Sequence, residues 1–138
     1  MILHFTLATR DVQRTSDFFV RTLGWRPIQR PGNVQVPAAW LEIGPGQELH
    51  LVQVEDFEPS PHEGEYARHC AVSYPLAGFA DLKVRLKQAG AEIIPADRAT
   101  PFERFFFRDP NGYVFEVVEA RTVAETESFQ GLRPSVAR

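Results

Sequence analysis

Cysteine is nearly absent from this chain. Cys70 is the only one in 138 residues, which excludes an internal disulfide and a cysteine-built zinc knot. An excess of basic charge is also missing. Lys and Arg total 15 against 18 Asp and Glu, for a formal net charge of -3. No broad positive field exists to hold a nucleic-acid backbone, so no nucleic-acid partner is expected. No apolar run is long enough to cross a bilayer, and "MILHFTLATRD" has no basic segment leading into a long apolar one. The expectation is a cytoplasmic protein with no membrane partner. What the chain does have is a 43% hydrophobic fraction and eleven Phe, a composition that builds a core rather than a disordered segment.

Hydrophobic spacing then sets the order of elements. "ILHFTLAT" (2–9) reads as a strand. In "RDVQRTSDFFVRTLG" (10–24), Val12, Thr15, Phe18, Phe19 and Leu23 share one helical side, with Asp11 as N-cap and Gly24 as terminator. Short strands follow at 25–30, 38–44 and 48–54, the last two flanking the turn "PGQ". Residues 55–67, "EDFEPSPHEGEYA", read as an acidic linker in which His62 faces water. The pattern then repeats: a strand at 68–75, a helix at 78–90, and strands at 91–95, 104–108 and 113–119. In that helix Phe79, Leu82, Leu86 and Ala89 form the apolar stripe, with Lys83 and Lys87 facing water.

The chain therefore reads β-α-β-β-β twice. Gly24 and Gly90 stand 66 residues apart, as do His50 and Glu116; His4 and His69 stand 65 apart. The fold class expected is α+β, with two paired βαβββ modules forming a cupped mixed sheet and the helices outside. Each module alone would leave a sheet face bare, so pairing is physically expected. One domain over 1–120 is expected, made of modules 1–54 and 68–120 joined by the 55–67 linker. The tail 121–138 reads as a loop or a weakly docked end.

Strand alternation sorts the polar residues. His4 shares a face with Thr6 and Ala8, and His69 with Ala71 and Ser73. His50 shares one with Glu48, and Glu116 one with Val114 and Val118. A lone buried carboxylate at Glu116 costs several kcal/mol, on the order of the usual penalty, unless paired. A divalent cation removes that cost, and His, His and Glu with a fourth ligand suit zinc, iron, nickel or manganese. The ordinary alternatives stand beside this. Glu116 can pair with Arg68 or Arg104, His4 can take a backbone partner, and His50 can sit half exposed at a sheet edge.

"LHFTLATRDVQRTSDFFVRTLGW", "ELHLVQV", "RHCAVS" and "RDPNGYVFEVVE" together resemble the vicinal oxygen chelate superfamily over residues 2–120. It contains glyoxalase I, bleomycin-resistance proteins, fosfomycin-resistance enzymes and extradiol dioxygenases. Its metal ligands lie on the first, fourth, fifth and eighth strands, so the resemblance implies His4, His50, His69 and Glu116 as ligands of a divalent ion (Zn, Ni, Fe or Mn). Glyoxalase I has glutamate where this chain has His50, a departure from the true glyoxalase I pattern.

The implied activity is a metal-dependent, glyoxalase-like lyase or isomerase acting on a small substrate chelated through adjacent oxygens. Glu116 and Glu48 are the candidate proton-transfer carboxylates. Arg68, Arg104, Phe106 and Trp40 are the candidate substrate contacts. Two alternatives are a non-catalytic, bleomycin-resistance-like small-molecule binding protein and a small non-haem iron dioxygenase. For the binding protein, Phe102, Phe105, Phe106, Phe107 and Trp40 are the aromatic candidates. A homodimer is the family expectation.

Overall fold

Alternating apolar residues in the strands and the two amphipathic helices produce a duplicated architecture in the computed structural model, which describes residues 1–120. The first module runs β1 (His4–Thr9), α1 (Val12–Thr22), β2 (Arg26–Ile28), β3 (Ala38–Gly44) and β4 (Gln47–Gln53). The second runs β5 (Cys70–Tyr74), α2 (Phe79–Gln88), β6 (Glu92–Ile94), β7 (Arg104–Arg108) and β8 (Val114–Glu119). A 3-10 turn, Leu76–Gly78, leads into α2. Element order matches the expectation, and most boundaries lie within one or two residues of it. The tail 121–138 lies outside the described residues.

Each module folds its own four-stranded mixed sheet, ordered β1-β4-β3-β2 and β5-β8-β7-β6. β1 runs parallel to β4, and β5 parallel to β8. The remaining pairs are antiparallel. β1 and β5 are therefore edge strands, each with one row of backbone groups unpaired within its sheet.

The strand register repeats in both modules. His50 lies between Thr6 and Trp40. Glu116 lies in the same way between Ala71 and Phe106. Gly24 and Gly90 end the two helices at φ +74° and +90°, left-handed values that a glycine adopts without a Cβ penalty.

Asp11 caps α1, its carboxylate accepting the Arg14 amide at 2.9 Å. The inward residues of α1, Val12, Thr15, Phe18 and Phe19, are all buried. Phe19 meets Trp25 and Phe115, while Phe18 meets Phe107. Phe79, Leu82 and Leu86 of α2 join the same cluster. One apolar core thus spans both modules, and Phe105 and Phe107 belong to it rather than to a pocket. Lys83 departs from the solvent-facing expectation. It is half-buried, with its ammonium 4.8 Å from the Phe105 ring centroid, a cation–π contact that its long stem permits.

A polar seam also joins the modules. Tyr113 donates to the Ala8 carbonyl at 2.8 Å. Asn111 accepts from Thr9 and donates to Thr15, both at 3.0 Å. The 55–67 segment is more than a spacer. Glu63 is buried, taking the Val114 amide at 2.8 Å and Arg68 at 2.6 Å. Phe57 stacks on Tyr113. His62 is exposed, as its polar surroundings imply.

Candidate functional site

On the outward face of the first sheet, the side chain of His4 meets that of His50. β1 and β4 pair in parallel with His4 opposite Glu48 and Thr6 opposite His50. Alternation puts His4, Glu48 and His50 on one side. The His4 and His50 rings stack at 4.1 Å with an interplanar angle of 15°. Trp40 stacks on the other side of His50, also at 4.1 Å. Glu48 lies 2.7 Å from His50 Nε2. The three rings and one carboxylate form a single patch, with the His50 side chain 14% and Glu48 39% exposed.

The second sheet builds the equivalent patch from different chemistry. His69 Nε2 lies 3.4 Å from Glu116 Oε2. Its Nδ1 lies 3.0 Å from the Gly64 carbonyl, which orients the ring so that Nε2 faces the carboxylate. Phe106 meets His69 edge-on at 5.3 Å, standing where Trp40 stands in the first module. Arg104 donates to Glu116 at 3.0 Å and also to Glu65 and to the Arg98 carbonyl. Its side chain is only 3% exposed.

Arg104 is thus a buried structural cation, not an open substrate contact. Burial opposes its charge, but Glu65 and Glu116 outweigh that and hold its pKa above the ordinary guanidinium value. Glu65 in turn is held below the usual carboxylate range. Burial pushes it up, but the Asp97 amide, Arg104 and the Arg98 amide outweigh that. Arg68 is committed to Glu63 and sits over the Tyr113 ring at 5.1 Å. Burial pushes the Cys70 thiol up against the opposing influence of Arg68, so it lacks the features of an activated nucleophile.

The structure therefore gathers the sequence candidates into two pairs, His4 with His50 and His69 with Glu116. Among the described residues no three His, Cys, Asp or Glu side chains converge closely enough to hold one metal ion. The four do not meet in a single cup within one chain.

The donor chemistry nonetheless fits a divalent ion pair by pair. Two ligands each about 2.1 Å from one ion at tetrahedral to octahedral angles stand roughly 3.0–3.4 Å apart. His69 and Glu116 have that spacing. The His4 and His50 rings offer two more nitrogen donors on one patch. Each pair is half of a four-donor set.

Several residues of the site region were not anticipated. Glu63 and Glu65 are the main ones, and outside the site Asp109 was not anticipated either. The alternation in "HEGEY" carried a signal: two carboxylates separated by one residue, with two residues between the second and the dipeptide Arg68-His69. Asp109, in the "DPNG" turn, accepts the amides of Asn111 and Tyr113, both at 2.9 Å. Burial drives its pKa up to about 6 against those hydrogen bonds.

With this geometry in view, comparison with known proteins is decisive for the family. The model for the Glyoxalase/Bleomycin resistance protein/Dioxygenase superfamily matches residues 1–117. The chain belongs to that superfamily. Among curated relatives, Glyoxylase I 4 of Arabidopsis thaliana is 25% identical over 118 residues, covering 83% of this chain and 67% of that protein. Lactoylglutathione lyase of Escherichia coli O157:H7 is 27% identical over 128 residues, covering 87% and 93%.

The fold is shared with solved structures. The fosfomycin resistance protein FosX of Mesorhizobium loti superposes with a TM-score of 0.70 at 18% identity, over 93% of this chain and 97% of that one. A variant of FosX from Listeria monocytogenes, complexed with Mn(II) and 1S,2S-dihydroxypropylphosphonic acid, gives 0.74 at 17% identity, over 93% and 97%. Among the described residues no helix is long and apolar enough to cross a membrane.

Proposed function

We propose that this protein is a metal-dependent, glyoxalase-like lyase or isomerase that works as a homodimer. In this reading its metal site is completed across two protomers. One protomer supplies His4 and His50, and its partner supplies the equivalents of His69 and Glu116. The observation that carries this reading is that one member of each donor pair lies at a sheet edge and the other on the adjacent strand. His4 is on β1 and His69 immediately precedes β5, and each strand has an unpaired side. Edge-to-edge association covers those backbone groups and sets the two half-sites side by side. The names of the curated relatives support the reaction class, and the Mn(II) bound by the Listeria protein supports the cofactor class.

When bound, a divalent ion supplies Lewis-acid polarisation of adjacent substrate oxygens. The chain's own residues divide the remaining work. Glu116 accepts from Arg104 on Oε1, which fixes the carboxylate, while its Oε2 faces His69 Nε2 and is the oxygen that would ligate the ion. Glu48 has one partner, His50, and is the more open carboxylate. In this reading it is the residue that would move a proton on a substrate bound at the first half-site. Trp40 and Phe106 fix the planes of His50 and His69; Trp40 also presents aromatic surface, whereas Phe106 is buried and acts only by packing.

The test is reloading of metal-stripped protein with Zn, Ni, Mn or Fe, with lactoylglutathione as the assay compound. About one metal per chain and a metal-restored turnover that falls at least 100-fold in Glu48→Gln are expected, the scale of a lost proton-transfer group. Metal far below stoichiometry with every ion overturns the reading. One observation favours a second reading, a non-catalytic small-molecule binding protein. Arg104 and His69 already offer Glu116 two cationic or polar partners, so its burial has a solution without a metal. Binding of a small anion with no metal uptake identifies that case.

A further inference from the structure

The far end of β1 opens onto a cleft that neither half-site uses. His4 and Thr9 lie at opposite ends of the strand, roughly 16 Å apart at the usual rise per residue. Beyond Thr9, a cavity of about 340 Å³ lies where α1, the end of α2 and the "DPNG" turn meet. Arg14 and Arg21 line it from α1, two helical turns apart and so on one face. Gln88 and Asn111 line it from the second module, and Phe18, Ala89 and Pro110 supply apolar wall.

A second cavity of about 370 Å³ shares Arg10, Pro110 and Asn111 with the first and adds Arg108. The guanidiniums differ in their commitments. Arg10 is held by the Phe57 carbonyl and Glu58. Arg108 reaches the Gly112 carbonyl and lies 3.6 Å from Glu92. Among the described residues the guanidiniums of Arg14 and Arg21 have no hydrogen-bond or ion-pair partner. Asp11 is the acidic residue among those lining the cleft, and one of its oxygens is taken by the Arg14 amide.

We propose that this inter-module cleft binds a small organic dianion with an apolar group, an aryl or alkyl phosphate in chemical class. Two uncommitted guanidiniums match a doubly charged headgroup. Free amide capacity on Gln88 adds hydrogen bonding, while Phe18, Ala89 and Pro110 receive the apolar part. A chain of net charge -3 attracts anions poorly overall, so a local pair of guanidiniums in a concave seam sets where one settles. Because the cleft is walled by both modules, its occupant bridges them. The inference stands independently of any metal.

The test is an amide-shift NMR titration of the full chain with phenyl phosphate, with inorganic phosphate and benzyl alcohol as separate arms. Saturable one-to-one shifts centred on residues 10–21, 88–89 and 110–111 are expected, tighter for phenyl phosphate than for either fragment. The R14Q/R21Q variant should bind at least tenfold more weakly at an unchanged unfolding midpoint. Gln88→Glu, which adds a like charge at the rim, should weaken binding without touching either arginine. Shifts that do not saturate, that survive both variants, or that centre on His69 and Glu116 overturn the proposal.

Discussion

The two modules share a backbone plan and differ in how they hold their candidate ligands. In the first, three rings stack on an open face beside Glu48, and the next charges in register, Glu42 and Arg26, pair with each other rather than with the rings. In the second, a carboxylate is locked into a buried network that reaches through Arg104 to Glu65. The position equivalent to Arg104 in the first module is Ala38, which brings no charge at all. Duplication thus preserved the register while the electrostatics diverged. A neutral imidazole needs orientation, which stacking supplies. A buried carboxylate needs countercharge, which requires a cation and further polar partners to satisfy it.

The largest effect expected from breaking this comparison is at Arg104. Arg104→Ala leaves Glu116 and Glu65 without their guanidinium and should cost about 3–5 kcal/mol in urea unfolding, the scale of a broken buried pair. An effect below about 1 kcal/mol would mean that the second module is no more dependent on charge than the first.

Next comes Asp109, whose equivalent in the first module, Ile43, cannot titrate. A folded pKa near 6 against an ordinary 3.8 means that the folded state binds the proton more tightly. Asp109 therefore costs stability as pH rises from about 4 to about 6, by at most about 3 kcal/mol. Glu65 acts with the opposite sign, contributing stability at neutral pH that is lost as pH falls through its depressed pKa. Comparing wild type with Asp109→Asn across that window cancels the other carboxylates. The variant should gain stability relative to wild type as pH rises, since an amide oxygen still accepts the Asn111 and Tyr113 amides.

A smaller difference separates two equivalent turn glycines. Gly46 and Gly112 both have positive φ, +69° and +92°. A Cβ at Gly46 meets open space, whereas one at Gly112 falls 2.5 Å from Pro59 Cβ. Gly46→Ala should cost about 1 kcal/mol from backbone strain alone. Gly112→Ala should cost about 2–3 kcal/mol, because the 55–67 segment must also shift. Equal losses would show that this segment yields freely.

The contrast also explains what the sequence disclosed. Period-2 and period-3.6 spacing, the Gly24/Gly90 pair and the two turns made the element order and the duplication readable before any coordinates. The same alternation put His50 with Glu48 on one strand face, but it took the parallel pairing of β1 with β4 and β5 with β8 to bring His4 to His50 and His69 to Glu116. The role of Arg104 was one of two options in the sequence, because its burial depends on Glu65, which is 39 residues away. Glu63 and Glu65 read as solvated linker charges for the same reason, since their partners are far along the chain. Spacing also could not show that the two donor pairs fail to meet within one chain. That depends on how the modules pack through Phe18, Phe19, Phe107 and Phe115, which local periodicity does not encode.

The most direct test of a site shared between protomers mixes two broken chains. His4→Ala/His50→Ala removes the first half-site, and His69→Ala/Glu116→Gln removes the second. Each alone should bind no metal. Co-expressed with different tags and purified as the heterodimer, they should hold one metal per dimer, because one composite site keeps both intact halves. A heterodimer as empty as its parents, from chains that still dimerise and fold, would contradict the account.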